Sequence, residues 1–335
     1  MTRTSTDVDE AAAVIERGGL VGLPTETVYG LAADATSPSA VRAVFRAKGR
    51  PVDHPLIVHI AGADQLDGWA RDVSDVARNA AARHWPGPLT LLLRRGPEVL
   101  DEVTGGRDTV ALRSPAHPMA HELLQRLAVS GRALVAPSAN RFGRVSPTSA
   151  ADVIDELGDA VDLVLDGGPC AVGIESAIVD LSDGPPRLLR AGQLSFETLR
   201  QEMPDLVDAD SMAPAVAPGM LASHYAPSAE VIVVDHDVDG AELRDIVARQ
   251  VDAGRRVGLL ALGSAGYDLS DRLVLLDVGS DVDGYARVLY RRLRDADGLG
   301  LDVVVAVAPP GHGIGAAVAD RLRRAAHPRP EPPSG

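Results

Sequence analysis

The 335-residue sequence contains almost no lysine: Lys48 is the only one among 33 basic residues, and the other 32 are arginine. Asparagine is nearly as rare, with Asn79 and Asn140 alone, which indicates a coding bias. A lysine kept against that bias is either a leftover on a solvated helix face or a position that requires a compact ammonium. Gly49, Arg50 and Pro51 follow Lys48 where a helix is predicted to end. The two positive charges, separated by one residue, predict an anion-binding site.

Other absences exclude whole classes of protein. The single cysteine, Cys170, excludes an internal disulfide framework and provides too few thiolates for a structural zinc site. No apolar run reaches the length of a membrane-spanning helix, and the acidic, amphipathic first 19 residues lack the apolar core of an export signal. The nine histidines include no H-E-x-x-H motif of the metalloprotease type. A cytoplasmic location is therefore expected.

The net charge of −14 also narrows the possible partners. Nucleic acid is normally bound through a basic surface, so strong direct binding of nucleic acid is not expected. Small anionic ligands remain compatible with the sequence, because a local cluster of arginine and lysine can oppose the overall charge.

The first two hundred residues alternate short apolar runs with helical patterns. Strands are predicted at "GLVGLP", "HPLIVHI", "PLTLLLRR", "TVALRSP", "ALVAPSA", "VDLVLDGG", "ESAIVDLS" and "RLLRAG", and helices at "SPSAVRAVFRAKG", "SDVARNAAARHW", "PMAHELLQRLAVSG" and "SAADVIDELG". Ser37 or Ser39 is the expected start of the first of these helices, and Gly49 its end. The pattern predicts a mixed α/β domain with a large sheet over residues 1–204.

The composition changes after residue 204. Prolines and small residues with little periodicity predict an ordered linker over 205–228. Residues 229–327 contain four continuous apolar runs and helical patterns at 240–253, 283–296 and 315–326, which predict a small doubly wound domain with a parallel sheet. The tail, 328–335, is expected to be disordered. "PPGHGIGAA" lacks the glycine spacing of a dinucleotide site and is interpreted as a tight strand-to-helix turn.

Three segments of the first domain concentrate groups that bind anions or small polar molecules. In "LPTETVYGLAADA", Thr25 and Thr27 lie two apart, so an extended backbone would place both hydroxyls on one wall, although ordinary β-favouring residues would look the same. The second segment runs from Lys48 to His59. The third, "APSANRFGRVSPT", follows a predicted buried strand and is either a phosphate or ribose cradle or a polar connector.

Two further segments are candidates for the same pocket. "TVALRSP" places Thr109 and Arg113 on one face if the strand is regular, and "GIESAIVDL" places Glu175 and Ser176 at the start of a strand. No G-x-S-x-G motif surrounds Ser176, which argues against a catalytic serine. No two acidic residues stand in matching contexts, so a hydrolase with paired carboxylates is not favoured.

Taken together, these motifs resemble a known family. "PTETVYGL", "KGRP…PLIVH", "WPGPLTLLL", "LRSP", "APSAN…SPT", "GIESAIVD" and "LLRAG" occur in the order and spacing of the YrdC-like threonylcarbamoyl-AMP synthases. "APGMLASHYAP" and the second domain resemble the long, two-domain form, so the resemblance covers residues from about 12 to 327. It implies a YrdC-like mixed-sheet domain with a concave cleft, followed by a small Rossmann-like domain.

The resemblance implies a nucleotidyltransferase that joins L-threonine, bicarbonate or CO2 and ATP into L-threonylcarbamoyladenylate, with release of pyrophosphate. The product would pass to a downstream tRNA threonylcarbamoyltransferase complex that forms t6A at position 37 of ANN-decoding tRNAs. Mg²⁺ is expected to accompany ATP and to be held mainly by the triphosphate. Two other classes remain open: an RNA-binding YrdC-like module without ATP turnover, and a carbamoyl-transfer enzyme, whose usual additional modules are missing from this sequence.

The family's site residues carry over by motif. Lys48 and Arg50 would be the catalytic cations. The residues implied to hold L-threonine are Thr27, His59, Arg113 and Ser176, and those implied to bind ATP are Lys48, Arg50, His54, Thr109, Ser138, Asn140, Ser146, Arg190 and Tyr225. Tyr225, in "SHYAP", would close over the nucleotide as a lid.

Four positions depart from the family pattern. His54 stands where asparagine is usual, Phe142 where serine is usual, Ala177 where threonine is usual and Ala191 where proline is usual.

Overall fold

The computed structural model describes residues 2–208, 225–263 and 272–327. The chain divides into two compact units. The first comprises Met1–Phe142, Ser146–Ala171 and Glu175–Met220, and the second comprises Gly143–Val145, Val172–Ile174 and Leu221–Gly335. Most of the predicted linker, 209–224, and the predicted tail, 328–335, lie outside the described residues.

The first unit is built on one mixed sheet. Its strands are β1 (Arg3–Ser5), β2 (Val21–Leu23), β3 (Gly30–Asp34), β4 (Ile57–His59), β5 (Leu89–Arg94), β6 (Thr109–Arg113), β7 (Leu134–Val135), β8 (Leu163–Leu165), β9 (Ala177–Asp180), β10 (Arg187–Arg190) and β11 (Val207–Asp208). Its α-helices are α1 (Val8–Glu16), α2 (Pro38–Lys48), α3 (Leu66–Trp69), α4 (Asp75–His84), α5 (Asp101–Thr104), α6 (Pro118–Ala128), α7 (Ala150–Leu157) and α8 (Phe196–Glu202). The order across the sheet is β1-β8-β2-β3-β7-β4-β6-β5-β9-β10-β11.

Helices cover both faces of this sheet. Successive residues of β3 illustrate the arrangement, because Leu31 and Ala33 belong to one apolar cluster and Ala32 to another. Residues of α2, α4 and α7 pack in the first cluster, and residues of α1 and α6 pack in the second. The mixed α/β domain predicted from the apolar pattern is confirmed.

The second unit contains a parallel sheet, also as predicted. Its strands are β12 (Glu230–Val234), β13 (Val257–Leu260), β14 (Leu273–Leu275) and β15 (Val303–Val307), and its helices are α9 (Gly240–Asp252), α10 (Val282–Gly298) and α11 (Ile314–Ala325). The sheet order is β12-β15-β13-β14, and all three pairings are parallel. No helix among the described residues is long and apolar enough to cross a membrane.

Candidate functional site

Helix α2 carries Lys48 on its buried face. Ser37 caps the first turn through its side chain, Pro38 is the first residue, and Gly49 ends the helix in the left-handed conformation at φ 62°. The buried positions Val41, Val44 and Phe45 continue to Lys48 at helical spacing, so the lysine stem packs with the apolar stripe. Lys48 is only 3% exposed, which rules out a solvated helix face.

The Lys48 ammonium holds the loop that follows β7. Nζ donates to the backbone carbonyls of Ser138 and Asn140, at 2.5 Å in each case. The backbone carbonyl of Lys48 accepts from the amide of Phe142 at 2.9 Å, so the lysine is bonded to the loop at three points. Burial and, to a smaller extent, the nearby Arg50 hold the pKa of Lys48 well below its usual value, against the opposing effect of Glu156.

Arg50 and His54 surround the end of this loop. Arg50 Nη2 donates to the carbonyl of Pro55 at 3.1 Å, and its guanidinium carbon lies 6.0 Å from the centre of the Phe142 ring. The His54 and Phe142 rings are 5.5 Å apart. Burial, followed by Arg50, lowers the pKa of His54. Two of the four departures from the family pattern, His54 and Phe142, are therefore direct neighbours.

A second group of polar side chains lies on neighbouring strands. His59 ends β4 and Arg113 ends β6, and the two residues are register partners in this parallel pair. Arg113 is 4% exposed and donates to Thr27 Oγ1 at 2.9 Å, to the carbonyl of Gly87 at 3.2 Å and to Glu26 at 2.7 Å. Burial and then the Arg113 charge lower the pKa of His59 to about 3, so this imidazole is neutral at physiological pH.

Ser176, which directly precedes β9, contacts residues of two other strands. Its hydroxyl lies 2.8 Å from Thr90 Oγ1 on β5, which is adjacent to both β6 and β9. Arg190 donates to the Ser176 carbonyl at 3.0 Å and to its hydroxyl at 3.1 Å. The preceding residue, Glu175, accepts from the Ser146 hydroxyl at 2.8 Å. Apart from Tyr225, the predicted threonine and ATP residues therefore all lie in the first unit.

The two threonines of "PTET" are close for a different reason from the one expected. Their hydroxyls are 2.9 Å apart, but residues 26–28 form a bend and not an extended strand. The Thr25 hydroxyl accepts from the amides of Thr27 and Val28 and donates to the Val28 carbonyl at 2.6 Å. The predicted extended backbone was wrong, because the Thr25 hydroxyl bonds to neighbouring backbone groups and these local bonds favour a turn over a strand.

One predicted ATP residue of the first unit, Thr109, lies away from this cluster, and another, Tyr225, belongs to the second unit. Thr109 begins β6 and Arg113 ends it, so the two share a face but lie about 13 Å apart along the strand. Tyr225 belongs to the second unit, where it is 1% exposed and has φ 67°. Its ring stacks on Tyr290 at 5.3 Å and lies 5.6 Å from the guanidinium carbon of Arg321.

Sequence reasoning assigned no role to two residues of the cluster. Glu26 contacts Arg113 directly, and Thr90 contacts Ser176. The position of Glu26 between two candidate threonines was an available signal. Thr90 had none, because a threonine in the apolar run "PLTLLLRR" has the composition of an ordinary strand.

The fold and site together define a two-unit α/β protein whose mixed sheet carries a cluster of buried basic, acidic and hydroxyl side chains. A family model described as "Telomere recombination", covering Sua5, YciO and YrdC, matches residues 13–192. A second, described as "Threonylcarbamoyl-AMP synthase, C-terminal domain", matches residues 192–327. The chain belongs to the Sua5/YrdC family, in the form that carries this C-terminal domain.

Curated relatives support the assignment over nearly the whole chain. A threonylcarbamoyl-AMP synthase of Pyrococcus abyssi is 42% identical over 322 residues, which cover 94% of this chain and 92% of the relative. The threonylcarbamoyl-AMP synthase of Bacillus subtilis is 37% identical over 325 residues, which cover 95% and 92%. Among solved structures, P. abyssi Sua5 complexed with L-threonine matches with a TM-score of 0.89 at 40% identity and covers 97% of each chain. The fold class and the resemblance inferred from the motifs are confirmed.

Proposed function

We propose that this protein synthesises L-threonylcarbamoyladenylate from L-threonine, bicarbonate or CO2, and ATP, with release of pyrophosphate. The observation that carries the proposal is the pairing of two buried cationic centres in one unit. Arg113 is held by the Thr27 hydroxyl, the Gly87 carbonyl and the Glu26 carboxylate, and we assign a small carboxylate ligand to it. Lys48 with Arg50 borders a polar loop that suits a phosphate chain. The whole-chain similarity to threonylcarbamoyl-AMP synthases supports the same activity.

The reaction assigns the Arg113 group to threonine. Arg113 pairs with the threonine carboxylate, and Thr27, His59 and Ser176 surround the rest of the amino acid. The neutral amine of threonine attacks CO2, or the carbonyl carbon of bicarbonate with loss of water, and an N–C bond forms while the amine gives up a proton. Because the pKa of His59 is lowered to about 3, this side chain offers an uncharged ring nitrogen next to Arg113 and adds no second positive charge to the pocket.

The Lys48 group is assigned to ATP. A carbamate oxygen attacks the α-phosphorus, an O–P bond forms, and the bond from the α-phosphorus to the pyrophosphate oxygen breaks. Negative charge develops on the phosphoryl oxygens, and Lys48 and Arg50 stabilise it, each by about 2–4 kcal/mol if they act like the donors of an oxyanion hole. The remaining ATP residues are proposed to be His54, Thr109, Ser138, Asn140, Ser146 and Arg190.

Magnesium is proposed to enter with ATP. Among the described residues there is no group of three or more histidine, cysteine, aspartate or glutamate side chains able to hold a metal ion. The donor set that remains is the oxygen atoms of the triphosphate and water, which Mg²⁺ prefers. The ion would neutralise charge on the leaving pyrophosphate.

We further propose that the protein acts as a nucleotidyltransferase in t6A formation on ANN-decoding tRNAs. The product is a mixed anhydride, which activates the carbamoyl group for transfer. A tRNA threonylcarbamoyltransferase complex is the proposed acceptor of this product.

Pyrophosphate release tests the proposal. Purified protein is given ATP and Mg²⁺ with L-threonine and bicarbonate, singly and together, and the adenylate product is identified by mass spectrometry. Release that needs both cosubstrates, and that disappears in Lys48→Ala, is the expected result. Release indifferent to threonine would refute the substrate assignment, and salt-sensitive tRNA binding without turnover would favour an RNA-binding module instead.

A further inference from the structure

Both carboxylate oxygens of Glu26 accept hydrogen bonds beside Arg113. Oε1 accepts from Arg113 Nη2 at 2.7 Å, and Oε2 accepts from the backbone amide of Ala116 at 3.1 Å. The side chains of Glu26 and Arg113 are 13% and 5% exposed, so the ion pair is largely shielded from water. The carboxylate is therefore fixed in place by the protein itself.

The pair gives the pocket one charge of each sign. Arg113 is positive, Glu26 is its carboxylate partner, and His59 is neutral because burial and Arg113 lower its pKa to about 3. A free α-amino acid has the same make-up, with a carboxylate and an ammonium on neighbouring atoms. A pocket that contained Arg113 alone would attract the carboxylate and repel the ammonium.

Glu26 also has the capacity and the position to accept a further donor. A carboxylate offers about four lone-pair sites, and the Arg113 and Ala116 contacts use two of them. Glu175 is the competing carboxylate near Ser176, and it accepts from Ser146. Among the described residues, Glu26 is the acidic side chain that pairs with Arg113. It therefore lies beside the group that binds the carboxylate, where the α-ammonium of the same molecule would be.

We propose that Glu26 accepts the α-ammonium group of the substrate and makes the pocket specific for an α-amino acid. The inference rests on the proposed function, in that Arg113 is taken to bind the threonine carboxylate. Arg113 then binds the carboxylate of the zwitterion, and Glu26 binds its ammonium group. A hydroxy acid with the same carboxylate and the same side chain lacks this second contact.

Calorimetric binding of two ligands to wild type and Glu26→Gln tests this. The ligands are L-threonine and 2,3-dihydroxybutanoate, which keeps the carboxylate and replaces the amine by a hydroxyl. In the variant, threonine binding should weaken about 10- to 100-fold, the effect of losing one charged hydrogen-bond partner, while binding of the hydroxy acid changes less than about threefold. Glu102→Gln is the matched control, because Glu102 forms an ion pair of 2.6 Å with Arg42 and does not contact Arg113.

Each other outcome has a definite meaning. Equal losses for both ligands would show that Glu26 only orients Arg113, and unchanged threonine binding would show that Glu26 does not contact the ligand; either result overturns the inference. A selective loss in Glu175→Gln instead would assign the ammonium to Glu175. If Glu26→Gln fails to fold, Glu26→Asp keeps the charge but withdraws it by one methylene, and the same ratio of the two affinities decides. Absence of threonine binding by the wild type would refute the proposed function itself.

Discussion

Replacing Lys48 by methionine tests whether the ammonium supports the loop after β7 as well as contacting ATP. Methionine keeps the buried apolar stem and removes the charge. The carbonyls of Ser138 and Asn140, each 2.5 Å from Nζ, then lose their donor. Hydrogen bonds to a charged group stabilise a fold by about 1.5–3 kcal/mol each. Against this stands the desolvation of the ammonium, which is the main reason for the lowered pKa of Lys48.

With desolvation offsetting part of the two bonds, we expect a net destabilisation of about 2–3 kcal/mol. At about 2–4 °C per kcal/mol for a unit of this size, Tm should fall by about 4–12 °C. Pyrophosphate release should fall at least about 30-fold, if the ammonium contributes 2 kcal/mol or more at the phosphoryl oxygens. Thermal unfolding and pyrophosphate release, the latter measured well below both midpoints, check the two effects separately.

Arg46→Met is the matched control, because Arg46 lies in the same last turn of α2 but is exposed. Its Tm and activity should stay close to those of the wild type. A Lys48→Met variant as stable as the wild type would refute the role of the ammonium in holding the loop. A destabilised variant with full pyrophosphate release at low temperature would refute the contact with ATP and leave Lys48 a purely structural residue.

Three further predictions follow from the site. The pKa of His59 is about 3 in the folded protein and about 6.5 in the unfolded chain, so on acidification the unfolded chain takes up a proton before the folded protein does. The neutral His59 therefore contributes fully to the free energy of unfolding above pH 6.5, and about 2 kcal/mol of that contribution is lost at pH 5. Denaturant unfolding at pH 7.5 and at pH 5 measures this loss. The free energy of unfolding should fall less between the two pH values in His59→Gln than in the wild type, and an equal fall would show that His59 is not the titrating group. Arg113→Lys should raise the threonine KM about 100-fold in the pyrophosphate assay and leave the ATP KM unchanged, because one ammonium cannot reproduce three directed contacts; parallel rises would contradict separate pockets. The neighbouring rings of His54 and Phe142 should couple by about 0.5–1.5 kcal/mol in a double-mutant cycle of unfolding free energies with His54→Asn and Phe142→Ser, and additive effects would show that the two departures are independent.

Most of the fold could be predicted because the apolar runs that form strands are bounded by turn residues and caps. The run "LDVVVAVA" contains β15, and the predicted start and end of α2 are both observed at Ser37 and Gly49. β3 was not predicted as a strand, because "GLAAD" consists mainly of small residues without β-branched side chains. Its conformation depends on pairing with β2 and with β7, which is far away in sequence, and local propensity describes neither pairing.

The site was less predictable than the fold, because its contacts join residues far apart in sequence. Lys48 contacts carbonyls 90 and 92 residues away, and Arg113 contacts Glu26 and Thr27 from 87 and 86 residues away. One signal was nevertheless present in the sequence. The apolar positions of α2 at Val41, Val44 and Phe45 continue at helical spacing to position 48, which places this residue on the buried face.

That placement explains why the position retains lysine in a chain that otherwise uses arginine. The stem of Lys48 extends the apolar stripe of α2, and its single nitrogen donates to two carbonyls at once. An ammonium directs three N–H groups from one point, so after both carbonyls are bound the third can meet a phosphate oxygen. A guanidinium spreads its donors over a wide planar fork and would need more room than a buried helix end next to a close-packed loop provides. If Lys48 also contacts ATP, as proposed, the same geometry serves the loop and the nucleotide, and stability and activity should fall together when the ammonium is removed.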